Sequence, residues 1–363
     1  MSRGALPGWV DYGLVPALNV LAAFVISGLV VLMIGENPLE AVRVLFYGAF
    51  GFGEGIGFTL FYATNFVMTG LAVAVAFHAG LFNIGAEGQA TIGGLGTALA
   101  CLALDRYLPW WAVFPVAILA SAAFGAAWAF LPALLQATRG SHVVITTIMF
   151  NFIASALMVY LLVDVLAPPG SMQPETRTFA AGAELPQLRE AFPALGQAPL
   201  NLSAFLAVAA LVGVWVLLWR TRLGYELRTF GANPTAAVYA GISPLRITIV
   251  AMLISGALAG MMSINEVMGS QNRLLLDFTA GAGFVGIAVA LMGRAHPVGI
   301  LFAAVLFGAL YQGGAELAFE MPNITRDMII VIQGLVILFA GALEHMFRPA
   351  LAALFAPARR APA

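Results

Sequence analysis

The first candidates for chemistry in this sequence are the polar residues of the segment GLFNIGAEGQ, residues 80–89. The segment contains Asn83, Glu87 and Gln89, in a chain whose residues are 61% hydrophobic. Polar groups in apolar surroundings are costly, and an acid there is by default a candidate for function. If the segment is helical, Asn83 and Glu87 are four residues apart and share one face. The glycines of the segment predict a backbone break before that helix begins.

Two interpretations of Glu87 stay open. In one, the carboxylate lines a pathway for a polar solute; in the other, which we favour, it caps or orients a helix start. The segment as a whole is expected to border the pathway, because interrupted helices inside a membrane are tolerated where they face protein or a wet cavity. Nearby aromatic rings could stack on a planar or sugar-ring ligand, although core packing explains each one singly. The candidate pathway residues are therefore Phe82, Asn83, Glu87, Gln89 and Phe284.

A second polar stretch, RTRLGYELRTFGANPTAAVYAGISPLR, covers residues 220–246. Asn233 and Pro234 are typical of an N-cap followed by the first helical residue. We therefore expect a short helix over Pro234–Ala240, ended by Gly241. A short exposed helix of this kind suits docking into a groove on a partner through Ala236 and Ala237. The alternative is a surface helix that only joins two membrane crossings.

Small residues recur every fourth position in two further segments and predict close helix packing. They are Ala86, Ala90, Gly94 and Ala98 in the first, and Ala251, Ser255, Ala259 and Ser263 in the second, which also holds a G-x-x-x-G pair at Gly256 and Gly260. Glu266 follows the second stripe. We interpret it as an interfacial residue at the outer end of the helix rather than a ligand contact.

Other reactive residues form no pattern that indicates an enzyme. The four histidines, at 78, 142, 296 and 345, are scattered at spacings unlike those of metal ligands. One cysteine, Cys101, allows neither an internal disulfide nor a cysteine metal cluster. There is no Ser/His/Asp arrangement and no G-x-x-x-x-G-K-[ST] run, so we expect no enzyme, no cofactor and no metal on this chain.

Composition then identifies the elements that position these residues. Only 9% of the 363 residues are charged, against about 25% in soluble domains. Several apolar runs reach the roughly 20 residues that cross a bilayer. The sequence predicts an all-α polytopic membrane protein with about ten helices, some short or broken, near 13–34, 58–77, 88–104, 110–135, 143–164, 201–219, 246–265, 281–293, 298–317 and 327–346.

The arginines predict the orientation. Residues 220–246 and the tail 348–363 are rich in arginine and are expected inside, with both termini cytoplasmic. We treat residues 1–363 as one transmembrane domain with a membrane region over 13–347 and a cytoplasmic loop over 220–245. A Pro-rich loop over 165–200 is expected outside, with one short helix around Leu185–Phe192.

The two halves of the sequence are weakly similar. GLFNIGAEGQATIGGLG near 80–96 and AGAGFVGIAVALMGRAHPVG near 280–299 are both Gly-rich, interrupted apolar segments. Paired broken segments of this kind are the best sequence indication of a translocation site.

Five motifs in order give the sequence a family resemblance. The sequence resembles the permease subunits of ABC importers for nucleosides and simple sugars, within the branched-chain amino acid/ribose permease superfamily. The motifs that carry this resemblance are GLFNIGAEGQ at 80–89, VITTIMFNFIA at 144–154, LRTFGANPTAAVYAGI at 227–242, ISGALAGM at 254–261 and GIAVALMGRAHPVG at 286–299. The resemblance extends from about residue 60 to residue 340.

This resemblance implies partners that composition does not indicate. The chain would pair with a second, often non-identical permease in the bacterial cytoplasmic (inner) membrane. Separate ATPase subunits would use ATP inside, and a substrate-binding protein would deliver the solute outside; no nucleic-acid partner is expected. By position, Gly231, Asn233, Pro234, Ala236, Ala237 and Gly241 match the loop that couples the permease to the ATPases.

One departure affects the substrate. Many relatives have a polar residue, often Asp, before GIAVAL, where this chain has Val285. Nucleosides lead, sugars follow, and branched-chain amino acids remain an alternative. Outside the ABC class, the alternative is a stand-alone transporter driven by H⁺ or Na⁺, which would need buried acids central to transport.

Overall fold

A computed structural model describes residue 7, residues 10–338 and residue 351. Its described part is helical, and short antiparallel bridges join only loop residues there. The α-helices are α1 Val15–Met33, α2 Pro38–Phe50, α3 Gly53–His78, α4 Ala86–Leu104, α5 Trp110–Arg139, α6 Val143–Tyr160, α7 Ser203–Arg220, α8 Arg222–Ala232, α9 Pro234–Tyr239, α10 Pro244–Met261, α11 Ala282–Met292, α12 Pro297–Glu320 and α13 Arg326–Ile337.

The predicted all-α membrane class is confirmed. Six helical segments among the described residues are long and apolar enough to cross a membrane, and they begin at residues 53, 110, 143, 203, 244 and 297. The other four predicted crossings coincide with α1, α4, α11 and α13. α11 has only 11 residues, and α4 carries Glu87 and Gln89 in its first turn. Part of the last predicted crossing, and the predicted tail 348–363 except residue 351, lie outside the described residues.

α2 is an element that the sequence reasoning missed. It follows α1 after a bend of 119°, at a break where Gly35 has φ +90°. Asn37 accepts a hydrogen bond from the Leu39 N–H (3.0 Å), and Pro38 is the first helical residue. The same Asn-Pro pair predicts the helix after Asn233, so the start of α2 could have been predicted from the sequence in the same way.

The chain forms two compact units. One comprises residues 1–48 and 310–363 and the other residues 49–309, so α12 contributes to both. In the first unit, apolar side chains of α1, α2, α12 and α13 pack together with the 321–325 turn. Asn323 donates to the Glu36 carboxylate at 2.7 Å.

α3 is the most enclosed of the candidate membrane spans. Its span is 83% buried and the span that contains α10, residues 244–268, is 67% buried, compared with 22–28% for the spans that contain α5, α6 and α7. Gly260 of α10 lies against Gly93 of α4 on one side and Ser121 of α5 on the other, and a methyl group there would overlap the Ser121 carbonyl oxygen. The close packing predicted for the G-x-x-x-G pair is confirmed, because the backbones approach where side chains are absent.

The predicted loop 165–200 is structured differently from expectation. It forms three short 3₁₀ turns, at Ala181–Ala183, Leu188–Glu190 and Pro193–Leu195, in place of one helix over 185–192. The Leu188 N–H donates to the Leu200 carbonyl (2.8 Å), beside the antiparallel bridge between Gln187 and Asn201. This N–H is therefore not available for a hydrogen bond within a helix. The loop is fixed by contacts distant in sequence, which the local pattern does not contain.

Candidate translocation and coupling sites

The signature segment, residues 81–89, is a loop followed by the start of α4. α4 begins at Ala86, after a backbone break at Gly80 (φ +70°). Asn83 therefore precedes the helix, and the expectation that it shares a helical face with Glu87 is wrong. The predicted break is confirmed; the irregular backbone continues to Gly85, so the helix begins three residues later than a helix over 83–89 would.

Asn83 has a fully engaged side chain in the protein interior. Its Nδ2 donates to Gln89 Oε1 (2.9 Å) and to Ser255 Oγ on α10 (2.8 Å). Its Oδ1 accepts from the Gly85 N–H (2.9 Å) and from Gln89 Nε2 (3.2 Å). The Ser255 hydroxyl in turn donates a hydrogen bond to the Ala72 carbonyl oxygen of α3 (2.6 Å). Asn83 thereby joins the loop to α4, α10 and, through Ser255, to α3.

A second asparagine holds the same segment from α6. Asn151 accepts from the Gly88 N–H (2.9 Å) and donates to the Ile84 carbonyl (3.0 Å). An irregular loop leaves such backbone groups without helical partners, and burial makes them costly unless a side chain satisfies them. This contact explains physically why the motif at 144–154 accompanies the signature segment.

Glu87 caps a helix, but the helix is α11. Its Oε1 accepts from Thr279 Oγ1 (2.6 Å) and from the Gly281 N–H (3.0 Å), and its Oε2 accepts from the Gly283 N–H (2.7 Å). Gly281 is the N-cap of α11 and has no side chain to satisfy those amides. A carboxylate at a helix N-terminus is also favoured by the helix dipole. The favoured capping interpretation holds, with the two Gly-rich segments brought into direct contact.

The candidate pathway residues have unequal access to the surface. Asn83 and Gln89 are buried, while Phe82 and Glu87 are partly buried. Phe284, on the first turn of α11, is 49% exposed. Contact with a transported solute stays a prediction for all five, and Phe284 is the one whose side chain reaches the surface most.

The coupling segment, residues 233–242, contains the predicted short helix. Asn233 Oδ1 accepts from the Ala236 N–H (3.0 Å), and Pro234 occupies the first helical position. At the other end Gly241 has φ +78°, and the Gly241 and Ile242 N–H groups donate to Val238 and Ala237 carbonyls (both 3.0 Å). This paired pattern is the Schellman motif, so local residues cap α9 at both ends.

The two alanines of α9 point to different surroundings. Ala237 is fully buried, whereas Ala236 is exposed and Tyr239 is 89% exposed. The expectation that both alanines face a partner is corrected for Ala237, because successive helical residues point about 100° apart. The outward face of α9 is formed instead by Ala236, Val238 and Tyr239.

Sequence reasoning singled out Glu266 but missed the buried polar cluster that it joins just after α10. Asn65 of α3 donates to Glu266 Oε1 (2.7 Å) and accepts from Asn265 Nδ2 (2.8 Å). Asn265 also accepts from Asn201 (3.1 Å) and Ser203 (2.7 Å). Glu266 is 9% exposed, so it lies inside the protein and not at its surface. No local signal marks this cluster, because its members come from segments as much as 201 residues apart.

Comparison with known proteins agrees with this architecture. Residues 55–341 match the family described as branched-chain amino acid transport system / permease component. The glucose ABC transporter permease protein TsgB13 of Haloferax volcanii is 36% identical over 343 residues, covering 93% of this chain and 89% of the relative. The nucleoside ABC transporter permease protein NupB of Lactococcus lactis is 34% identical over 320 residues, covering 87% and 85%. NupC of the same organism, also named a nucleoside ABC transporter permease protein, is 28% identical over 273 residues, covering 73% and 83%.

The family match extends from the first turn of α3 to beyond α13, and it includes both candidate sites. A polytopic helical chain with two interlocked broken segments is the architecture expected of a transport protein. This chain belongs to the family of branched-chain amino acid transport system permease components.

Proposed function

We propose that this chain is the membrane permease subunit of an ATP-binding-cassette importer for nucleosides or simple sugars. Two relatives that cover most of the chain, named as glucose and nucleoside ABC permeases, support this substrate range. The structural observation that carries the proposal is α9, a six-residue helix capped by its own sequence and presenting Tyr239 outward. Such a helix suits the groove of an ATPase subunit on the cytoplasmic side.

The proposed complex contains further chains. A second permease is supported by the match to both NupB and NupC, two permeases of one organism. We place the Arg-rich segment 220–246 and both termini in the cytoplasm, in a bacterial inner membrane, with ATP hydrolysis on separate subunits. The loop 165–200 would then face a substrate-binding protein outside.

Glu87 is disfavoured as the relay carboxylate of the ion-coupled alternative. A proton or sodium relay needs a carboxylate that is free to exchange its partner. Both oxygens of Glu87 accept hydrogen bonds from the α11 region, at 2.6–3.0 Å. Releasing them would uncap α11.

Reconstitution distinguishes the two mechanisms. The chain, its neighbouring permease and candidate ATPase subunits are placed in liposomes with a substrate-binding protein, and uptake of labelled uridine, glucose and leucine is measured. We expect uptake of uridine or glucose that requires ATP and the ATPase subunits. Uptake by the lone chain driven by a proton or sodium gradient would overturn the proposal, and ATP-dependent uptake of leucine alone would overturn the substrate class.

A further inference from the structure

The C-terminal end of α3 is a meeting point of three other segments. α3 ends at His78 and is followed by Gly80 at φ +70°, where the Gly80 and Leu81 N–H groups donate to the Phe77 and Ala76 carbonyls (both 3.0 Å). This capped end leads directly into the signature segment 81–89. Its position is therefore transmitted to the start of α4 through only a few loop residues.

α8 contacts this end through backbone atoms. Gly231, two residues before the N-cap of α9, lies against the His78 carbonyl and the Gly80 backbone. A methyl group added at Gly231 would overlap the His78 carbonyl oxygen. Backbone packed on backbone contains no rotatable side chain, so a displacement of α8 is not absorbed by repacking.

The side chain of His78 reaches the turn between α11 and α12. A ring nitrogen, Nε2, lies 3.0 Å from the Ala295 carbonyl, and it donates there because a carbonyl oxygen only accepts. Arg294 and Ala295 have φ +52° and +53°, values that residues with a Cβ rarely adopt. The His78 hydrogen bond stabilises that strained turn.

Aromatic packing completes the junction. The His78 ring meets Trp219 of α7 edge-on at 5.4 Å, and Trp219 contacts His296 of the same α11–α12 turn at 4.9 Å. We name the group His78, Gly80, Trp219, Gly231 and Ala295 the α3 junction. It connects α8, which leads into α9, to both Gly-rich segments, near 80–96 and 280–299. Glu87 forms a second connection between these two segments at the start of α11.

We propose that His78 and Gly231 are positioning residues that transmit movement of α8 and α9 through the α3 junction to α4 and α11. The inference rests on the proposed function, because it takes α9 as the point where the ATPase acts. It assigns to His78 the hydrogen bond that moves the α11–α12 turn together with α3, and to Gly231 the contact that moves α3 together with α8.

Three substitutions test this in the complete reconstituted complex. His78→Phe keeps a ring against Trp219 but removes the donor, His78→Gln keeps an N–H donor, and Gly231→Ala separates α8 from α3. For each variant, ATPase co-purification, ATP hydrolysis and solute uptake per ATP are measured. We expect His78→Phe and Gly231→Ala to retain the ATPase and its hydrolysis while uptake per ATP falls about tenfold, the order of one lost hydrogen bond. His78→Gln should restore most of the loss.

Matched controls use the same residue types elsewhere. His142 is exposed and Gly213 has open space around it, so His142→Phe and Gly213→Ala should leave uptake per ATP unchanged. Wild-type coupling in His78→Phe and Gly231→Ala would overturn the inference. Loss of ATPase binding in these variants would also overturn it, since the junction would then be a docking determinant. Failure of the wild-type chain to bind any ATPase would instead refute the proposed function.

A measurement on the unmodified complex covers the case in which a variant does not fold. Hydrogen exchange is followed in the complex with and without a non-hydrolysable ATP analogue. We expect protection to change together in residues 227–232 and 291–297. A change confined to the first segment would contradict transmission through the α3 junction.

Discussion

The signature segment 81–89 and the coupling segment 233–242 each contain the start of a helix, yet they are held in opposite ways. Asn83, Glu87 and Gln89 bond to one another or to α10 and α11. The hydrogen bonds of Asn233 and Gly241 are local instead, to residues of α9 and, from the Asn233 N–H, to the Thr229 carbonyl of α8 (3.0 Å). The difference teaches that polar residues in the first segment act as internal scaffold, whereas the second segment folds locally and leaves a face free. Substitutions should therefore cost stability in the first and partner binding in the second.

The largest effect is expected for Asn83→Leu. Leucine leaves the Gln89 amide and the Gly85 N–H without their partner, and each orphaned buried group costs roughly 1–3 kcal/mol. We expect the free energy of unfolding to fall by about 3 kcal/mol or more, measured by thermal or denaturant unfolding in detergent. Asn233→Ala is the matched control, since it removes one exposed cap worth about 1 kcal/mol to α9 alone. Equal destabilisation by the two variants would remove the distinction between the segments.

Glu87→Ala comes next. It leaves the Gly281 and Gly283 N–H groups uncapped, and we expect a loss of about 2 kcal/mol in the same unfolding assay. Glu87→Gln keeps one acceptor oxygen and should lose about half as much. If the glutamine variant is as stable as wild type but transports nothing, the charge acts in the pathway and the capping interpretation is incomplete.

A pH-dependent effect is expected at the 165–200 loop. Arg177 binds Asp105 through both guanidinium nitrogens (2.6 and 3.0 Å), and this bond holds the pKa of the Asp105 carboxyl below its ordinary value of 3.8. A carboxyl with a lowered folded-state pKa stabilises the protein above its unfolded pKa and loses that contribution as pH falls through the folded value. The Tm of wild type should exceed that of Arg177→Leu by its largest amount at pH 7, and this difference should shrink below about pH 4. A difference that stays constant from pH 7 to pH 3 would show that Arg177 acts through packing.

The smallest effect on stability is expected on the outward face of α9. Ala236→Arg and Tyr239→Arg change exposed side chains, so the free energy of unfolding should change by no more than about 0.5 kcal/mol. Under the proposed function, both variants should lose co-purification with the ATPase. Ala237→Arg separates the two effects, because it places a charge in a buried site and should destabilise the chain itself. Unchanged ATPase binding in both surface variants would exclude α9 as the docking element.

Local sequence signals predicted the elements whose hydrogen bonds are local. The Asn-Pro start and Gly end of α9 lie within nine residues of one another, and each carries its own cap in sequence. The G-x-x-x-G pair in α10 likewise predicted close packing, since small residues permit it wherever the neighbour lies. The 3₁₀ turns of the 165–200 loop were not predicted, because the loop is held by residues outside those turns. The burial of Ala237 was not predicted, because it depends on how α9 packs against α8 and α10.

By itself the sequence determined that the chain is a helical membrane protein of a recognisable permease type, with a break before α4 and a capped helix after Asn233. Hydrophobicity, Gly and Pro are properties of single residues and their neighbours, so they can be read along the chain. Only the tertiary structure decided that Glu87 caps α11, that Asn151 holds the signature segment, and that His78 meets Ala295. Each of these bonds joins residues 63–217 positions apart, and such pairings arise from how the helices pack rather than from any local pattern.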